Sequence, residues 1–378
     1  MTFEKISLGG QVDFSASVSR VLEVLRSGGV VVLPTETVYG LAVRACDESA
    51  VARISKIKQR NADHPFALAV HNIATIVDYV TDMNDLAKRI ARRCLPGPVS
   101  LILDVSQTDS EFRFLPKLTQ EAASKDAMVC FRVPDHQFTL SVIKELGEPI
   151  ILTSANLHGS PIATSMDEVI DQLGSEVDLV VDDGAVNIEK PSTLLKIDDD
   201  KFSILRSGPI SNETLQRLSA RMILFVCTGN TCRSPMAERI CELEIVRRLG
   251  CTLDELESHG FVVMSAGITA NAKQNAAPNA IEVLRERDID LSDHVSQPLN
   301  ETLVRFADYI FAMTRSHREM ILSMYPDADT RLSVLRSDGG DIQDPIGGTF
   351  EQYKLCANQI TTEINKHLDK IYRSPYER

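Results

Sequence analysis

Two groups of residues in this 378-residue chain have the types and spacing to do chemistry on phosphoryl groups. The sharper one is Cys227-Thr228-Gly229-Asn230-Thr231-Cys232-Arg233-Ser234-Pro235, directly after the apolar run Met222–Val226 and directly before a helical pattern. A loop that joins a strand to a helix points backbone N–H groups and the helix N-terminus at one spot, which makes an anion-binding concavity. A thiol in that spot is stabilised as the thiolate by the same dipoles and by a neighbouring guanidinium. Arg233 can grip two phosphoryl oxygens at once, Ser234 and Asn230 can hydrogen-bond the sulfur and the loop, and Pro235 suits a first helical turn. The chemistry this implies is in-line attack on phosphorus, giving a phosphocysteine. A leaving group then needs a proton, and Asp344-Pro345, inside the turn-rich stretch Asp341–Gly348, supplies a candidate acid. Cysteine, five residues and arginine is weak as bare spacing. The strand before it and the helix after it make it specific.

The second group is dispersed. Neither of the two common glycine-rich phosphate cradles, GxxxxGK[ST] and GxGxxG, occurs in the first half. Instead, polar clusters recur where apolar runs stop: Pro34-Thr35-Glu-Thr37-Val-Tyr39-Gly40, Lys58-Gln-Arg60, Pro96-Gly-Pro98, Arg132, Ser154-Ala-Asn156, Ser192-Thr193 and Arg206. Each alone reads as a turn or a solvated face. Their recurrence at strand ends points to one shared cavity for polyanions.

The elements that must position these residues follow from apolar patterning. Ala16–Arg26 has the spacing of an amphipathic helix, stopped by Gly28-Gly29. Strands are expected at 30–33, 66–70, 100–103, 128–133, 150–153, 179–181 and 193–197, with helices between several of them, which gives a twisted α/β sheet. After a Gly- and Pro-bearing stretch, strand and helix alternate: strands at 222–226, 261–264 and 308–312, helices at 235–249, 278–287, 316–323 and 350–370. That is a doubly wound parallel pattern, in which ligands bind at the carboxyl ends of strands. The expected organisation is therefore a domain over 1–210, a linker at 211–220 and a second α/β domain over 221–378.

Composition narrows the function. The net charge is −13, with −8 before residue 211 and −5 after it, so neither half carries the basic field of a general nucleic-acid or membrane binder. Strong direct nucleic-acid binding and membrane association are not expected. An RNA-binding surface without catalysis, the competing reading for the first half, conflicts with that acidity. Eight scattered cysteines form no Cys-x-x-Cys pair, which argues against a disulfide framework or a zinc ribbon and for a reduced, cytoplasmic setting.

CTGNTCRSPMAE, with Ser265-Ala266-Gly267, Ala312-Met313-Thr314 and DIQDPIGG, resembles the low-molecular-weight protein-tyrosine-phosphatase family across 221–378. The resemblance implies Cys227 as nucleophile, Arg233 as phosphate clamp and Asp344 as general acid. It further implies Thr228 to Ser234 as the phosphate loop and Cys232 as a thiol able to form a protective disulfide with the nucleophile. Thr231, where tyrosine phosphatases usually carry a bulky aliphatic residue, and Ile346, where they tend to carry an aromatic one, resemble the protein-arginine-phosphatase branch. Phosphoarginine is the expected substrate, with phosphotyrosine the alternative. Arsenate reduction would want relay cysteines near the C-terminus, where only Cys356 stands.

PTETVYGL, Lys58-x-Arg60, LPGP, Arg132-Val-Pro-Asp, SAN at 154–156, PST at 191–193 and LRSG at 205–208 together resemble the threonylcarbamoyl-AMP synthase (YrdC-like) family over residues 10–210. That resemblance implies condensation of L-threonine, bicarbonate and ATP with release of pyrophosphate. The product feeds tRNA-modifying proteins. Lys58, Arg60, Ser154, Asn156 and Arg206 would hold ATP, while Thr35, Arg132 and Ser192 would hold threonine, lined by Thr37 and Tyr39. No tightly bound cofactor and no resident metal are implied; Mg2+ is expected to arrive with ATP. The sequence departs from the pattern at Asn61, in place of proline, and at Ala185, in place of glycine. It also departs at His71, which stands farther beyond Pro65 than the family's histidine.

Overall fold

The computed structural model describes residues 3–10, 13–59, 64–186 and 188–372. The chain divides into two compact units, Met1–Leu215 and Gln216–Arg378. The stretch expected to link them holds a helix, Asn212–Ser219, and the division falls inside it.

In the first unit the helix Phe14–Arg26 starts where the Asp13 side chain accepts from Ala16 N–H. It buries Val18, Val21, Leu22 and Leu25 against Val31, Leu33, Ile150 and Leu152. The strands are β1 (Glu4–Ser7), β2 (Val31–Leu33), β3 (Gly40–Arg44), β4 (Ala67–Ala69), β5 (Val99–Asp104), β6 (Ser124–Lys125), β7 (Met128–Arg132), β8 (Ile150–Ser154), β9 (Leu179–Asp182), β10 (Thr193–Asp198) and β11 (Lys201–Arg206). They form one mixed sheet in the order β1-β9-β2-β3-β8-β4-β7-β5-β10-β11, with β6 paired to β7. The central strands β2, β3 and β8 are nearly all buried, as their Val, Leu and Ile content requires. Four strands lie outside the sequence expectation: β1, β3, the two-residue β6 and the half-exposed β11.

The second unit has a parallel sheet of β12 (Arg221–Cys227), β13 (Phe261–Gly267), β14 (Tyr309–Ala312) and β15 (Leu332–Val334), in the order β13-β12-β14-β15. Alternate residues of β12 face opposite layers. Ile223, Phe225 and Cys227 join a core with residues of helices Arg233–Leu249, Pro278–Arg285 and Phe350–Tyr372. Met222, Leu224 and Val226 join another, with residues of Glu301–Phe306 and Arg315–Met324. Helices therefore cover both faces, and the central strand β12 ends at Cys227, at the carboxyl edge of the sheet. Among the described residues no helix is long and apolar enough to cross a membrane.

Candidate active sites

Cys227 ends the central strand and Arg233 begins the next helix, so the loop between them has to turn back on itself. Asn230 makes that turn with φ of +54°, a left-handed conformation that asparagine tolerates better than most residues. Its side chain fixes the turn: Nδ2 donates to Ser234 Oγ (3.0 Å) and to Ser265 Oγ (2.8 Å), and Oδ1 accepts from Gln297 N–H (2.8 Å). His294 Nε2 lies 2.9 Å from the Asn230 carbonyl oxygen. The Cys227 sulfur is buried but sits among polar groups, 2.9 Å from Ser234 Oγ and 3.3 Å from the Asn230 amide that donates to it. Those are the contacts a thiolate needs.

Arg233 is 4% exposed, so its guanidinium is held in the site and not turned to bulk water. Nη1 donates to the Ile342 carbonyl oxygen (3.2 Å), and Nη2 donates to Asp344 Oδ2 and, at 3.5 Å, to Thr228 Oγ1. Its Nε is buried and makes no hydrogen bond. The structure thus joins Cys227, Arg233, Ser234 and Asp344 across more than a hundred residues of chain. Asp344 is partly exposed beside a cleft of about 640 Å3 that Ile346 also lines. Thr231 is half-buried, and its hydroxyl oxygen is 3.7 Å from the Cys232 sulfur. All eight cysteines are free thiols. Cys232 lies 3.4 Å from the Tyr353 hydroxyl, and burial raises the pKa of its thiol; Cys356 is likewise buried and pushed up to about 12.

A line of hydrogen bonds leads away from the sulfur: Ser234, Asn230, Ser265 and finally Glu238, whose carboxylate accepts from Ser265 Oγ. Desolvation pushes the Glu238 carboxyl up to about 7. Glu238 has no sequence signal beyond being a polar residue one turn after Ser234.

In the first unit, Lys58 caps the C-terminal end of helix Glu48–Ile57 and is 4% exposed. Its ammonium donates to the carbonyl oxygens of Ser154 (2.9 Å) and Asn156 (2.6 Å) and to Asn156 Oδ1 (3.0 Å). Ser154 Oγ donates to Asn156 Oδ1, and Asn156 Nδ2 donates to the Ser160 carbonyl oxygen. Lys58, Ser154 and Asn156 therefore meet, lining a cavity of about 300 Å3. Arg60 lies outside the described residues.

Ser154 also lines the adjoining cavity of about 590 Å3, together with Thr35, Arg132, Ser192 and Arg206. Arg206 donates to the Ser192 carbonyl oxygen (2.9 Å), and the Ser192 hydroxyl is 2.7 Å from that of Ser100. Thr35 gives its hydrogen to the Val38 carbonyl oxygen (2.6 Å), which leaves its oxygen as an acceptor. Arg132 Nη2 donates to Thr37 Oγ1 and to Glu36 Oε1 (3.1 Å), while Arg132 Nε is buried without a hydrogen bond.

One expectation changes here. Thr37 does not line the cavity but stands behind it, positioning Arg132. Tyr39 lines it as expected, and its hydroxyl is committed to the Asp182–Gly184 turn, donating to the Gly184 carbonyl oxygen (2.6 Å). His71 lies away from both cavities, its Nε2 2.8 Å from Asn72 Nδ2. The histidine that lines both is His64, directly before Pro65. Glu36 and Ser100 also join this site unannounced. The acidic residue inside a threonine-rich turn was the available hint of the former; a serine within a buried strand hinted at the latter.

The two sites define a cysteine-dependent phosphoryl-transfer enzyme of doubly wound fold and, before it, a mixed-sheet domain whose adjoining cavities are lined by Lys58, Arg132 and Arg206. The Sua5/YciO/YrdC family model, described as "Telomere recombination", matches residues 23–208, and that of the low-molecular-weight phosphotyrosine protein phosphatases matches 222–375. A provisionally named threonylcarbamoyl-AMP synthase of Methanocaldococcus jannaschii is 34% identical over 203 residues, 52% of this chain and 90% of the relative. A protein-arginine-phosphatase of Bacillus subtilis is 39% identical over 152 residues, 39% of this chain and 94% of the relative. The solved structure of a Pyrococcus abyssi Sua5 variant shares the fold, with a TM-score of 0.51 at 23% identity, covering 69% of this chain and 90% of that one. This chain spans about half the length of the synthases of Bacillus subtilis and Pyrococcus abyssi. It belongs to the Sua5/YciO/YrdC family through its first half and to the low-molecular-weight phosphatase family through its second.

Proposed function

We propose that the chain carries two enzymes: a threonylcarbamoyl-AMP synthase before residue 211 and a protein phosphatase acting on phosphoarginine after residue 220. The observation that carries the second reading is the polar cradle around the Cys227 sulfur, closed by Arg233 and Asp344. The thiolate attacks phosphorus in line, and the P–N bond to the guanidinium breaks. The departing nitrogen takes a proton from Asp344, and water then releases phosphate from the phosphocysteine as Asp344 recovers its proton. Binding a phosphoryl dianion draws Arg233 toward the phosphoryl oxygens and so frees Asp344 to serve as the acid. The similarity to named arginine phosphatases supports phosphoarginine, as do the hydroxyl side chain of Thr231 in the phosphate loop and the absence of an aromatic ring at Ile346.

In the synthase half, the threonine amine and bicarbonate condense with loss of water to a carbamate, whose oxygen attacks the α-phosphorus of ATP and expels pyrophosphate. Lys58, Ser154 and Asn156 hold the phosphates, with Arg60 and Arg206 completing the nucleotide contacts and Mg2+ accompanying ATP. Arg132 clamps the threonine carboxylate, with Thr35 and Ser192 beside it. The product passes to tRNA-modifying proteins, and both reactions run in the cytoplasm, where a catalytic thiol stays reduced.

The test is direct. Pyrophosphate release from ATP should require both threonine and bicarbonate; a folded chain that releases none excludes the synthase. Phosphoarginine protein should be hydrolysed with higher kcat/KM than a phosphotyrosine peptide, and Thr231→Ile should narrow that ratio about tenfold or more. Equal efficiency on both substrates would make this a phosphatase of broader, or tyrosine-directed, specificity.

A further inference from the structure

The phosphate loop has a partner that nucleophile, clamp and acid leave unexplained. His317 lies in the first turn of helix Arg315–Met324, and its backbone N–H donates to Oγ1 of the capping residue Thr314 (3.1 Å). The imidazole is buried, and both ring nitrogens are engaged: Nε2 is 2.9 Å from Thr228 Oγ1 and Nδ1 is 2.9 Å from Thr314 Oγ1. Thr228 is the residue directly after the nucleophile.

In one arrangement of the hydrogens every contact in this cluster pairs a donor with an acceptor. A guanidinium only donates, so in its 3.5 Å contact with Arg233 Nη2 the Thr228 oxygen is the acceptor. The single hydroxyl hydrogen of Thr228 is then left for His317 Nε2. Nε2 accepts it, and Nδ1 carries the ring hydrogen and donates it to Thr314. This arrangement needs a neutral ring. Burial and the Arg233 charge push its pKa down to about 4, against the pull of Asp344 and Asp341, which also face it. With both ring nitrogens donating, the Thr228 oxygen would have to accept from Nε2 as well as from Arg233, and its own hydrogen would lose this acceptor.

We propose that His317 is a positioning residue of the phosphatase: by accepting the hydroxyl hydrogen of Thr228 it turns the lone pairs of that hydroxyl to Arg233 and fixes the clamp beside Cys227. The proposal rests on the phosphatase reading, and the experiment separates the two. The full chain is assayed with p-nitrophenyl phosphate, with Cys227→Ser as the blank. Wild-type chain no more active than this blank overturns the phosphatase reading itself. Given activity, His317→Ala and Thr228→Val should each lower kcat/KM by about tenfold, and the double variant should fall no further, because both remove one interaction. His317→Gln, whose Oε1 can accept the same hydrogen, should recover most of the loss. Inorganic phosphate should inhibit His317→Ala and Thr228→Val more weakly in the same proportion. Additive losses, a glutamine variant as poor as the alanine one, or wild-type kinetics in Thr228→Val would each overturn the role. Thr228→Val and His317→Gln decide the matter even if His317→Ala fails to fold.

Discussion

At the scale of single residues, the phosphatase site is held by groups whose protonation the fold has altered. Glu238 shows this most clearly, because desolvation outweighs the hydrogen bond from Ser265 and lifts its carboxyl to about 7. A carboxyl raised on folding binds an extra proton in the folded state between its ordinary value, near 4.5, and about 7. The folded state is therefore favoured below that window and loses stability as pH climbs through it. Glu238→Gln removes the titration but keeps an oxygen that can accept from Ser265. Relative to wild type, the variant should gain on the order of 2 kcal/mol between pH 5 and pH 8. Urea unfolding of both proteins at the two pH values, followed through loss of phosphatase activity, measures it; an equal difference at both would show that Glu238 does not titrate in the window. The same scale shows what sequence leaves hidden. Cys227, Arg233, Ser234 and Pro235 announce themselves by adjacency, and Lys58 by its basic neighbour. Glu36, whose carboxylate meets Arg132 from 96 positions away, had only its place in a threonine-rich turn to mark it, and His317, 89 positions beyond Thr228, belongs to no local pattern. Only the fold brings them in.

At the scale of elements, the sheet edge is the positioning device. Gly267 ends β13 opposite Cys227 in the parallel register. A Cβ on Gly267 would come within 2.6 Å of the Thr228 carbonyl oxygen and 2.9 Å of the Asn230 amide nitrogen. Both belong to backbone that cannot swing aside, so Gly267→Ala must displace the loop that cradles the phosphoryl group. Because displacement of about 1 Å costs catalysis on the order of 10²-fold, kcat/KM should fall by that order while far-UV circular dichroism stays unchanged. Wild-type rates would show the loop to be more yielding than its packing implies. Most of these elements were legible because buried strands here are short apolar runs with polar residues at their ends. The strand Gly40–Arg44 escaped because it continues directly from the polar turn Pro34–Tyr39, and Leu332–Val334 because three residues carry too little pattern to stand out. β1 begins Glu-Lys and is mostly exposed, so its two-residue alternation is weak.

At the scale of the whole molecule, the question is whether two anion-handling sites in one acidic chain act as one machine. Every described residue assigned to the synthase lies between Thr35 and Arg206, inside the first unit, and every one assigned to the phosphatase lies between Cys227 and Asp344, inside the second. Each unit also builds its own hydrophobic core. Neither chemistry supplies what the other consumes: one expels pyrophosphate from ATP, the other releases inorganic phosphate from a protein. Chemical logic therefore predicts independence. In parallel assays of one preparation, Cys227→Ser should abolish phosphatase turnover and leave threonine-dependent pyrophosphate release within about twofold of wild type. Lys58→Ala strips the ammonium from the Ser154–Asn156 loop and should do the reverse, lowering synthase kcat/KM by about 10²-fold or more, in line with loss of a buried charge from a phosphate site. Each variant carries its own folding control in the activity of the other half. A substitution that silenced both would mean that the halves are coupled, and an effect of added threonine and ATP on phosphatase turnover, abolished in Lys58→Ala, would locate the coupling at the synthase site.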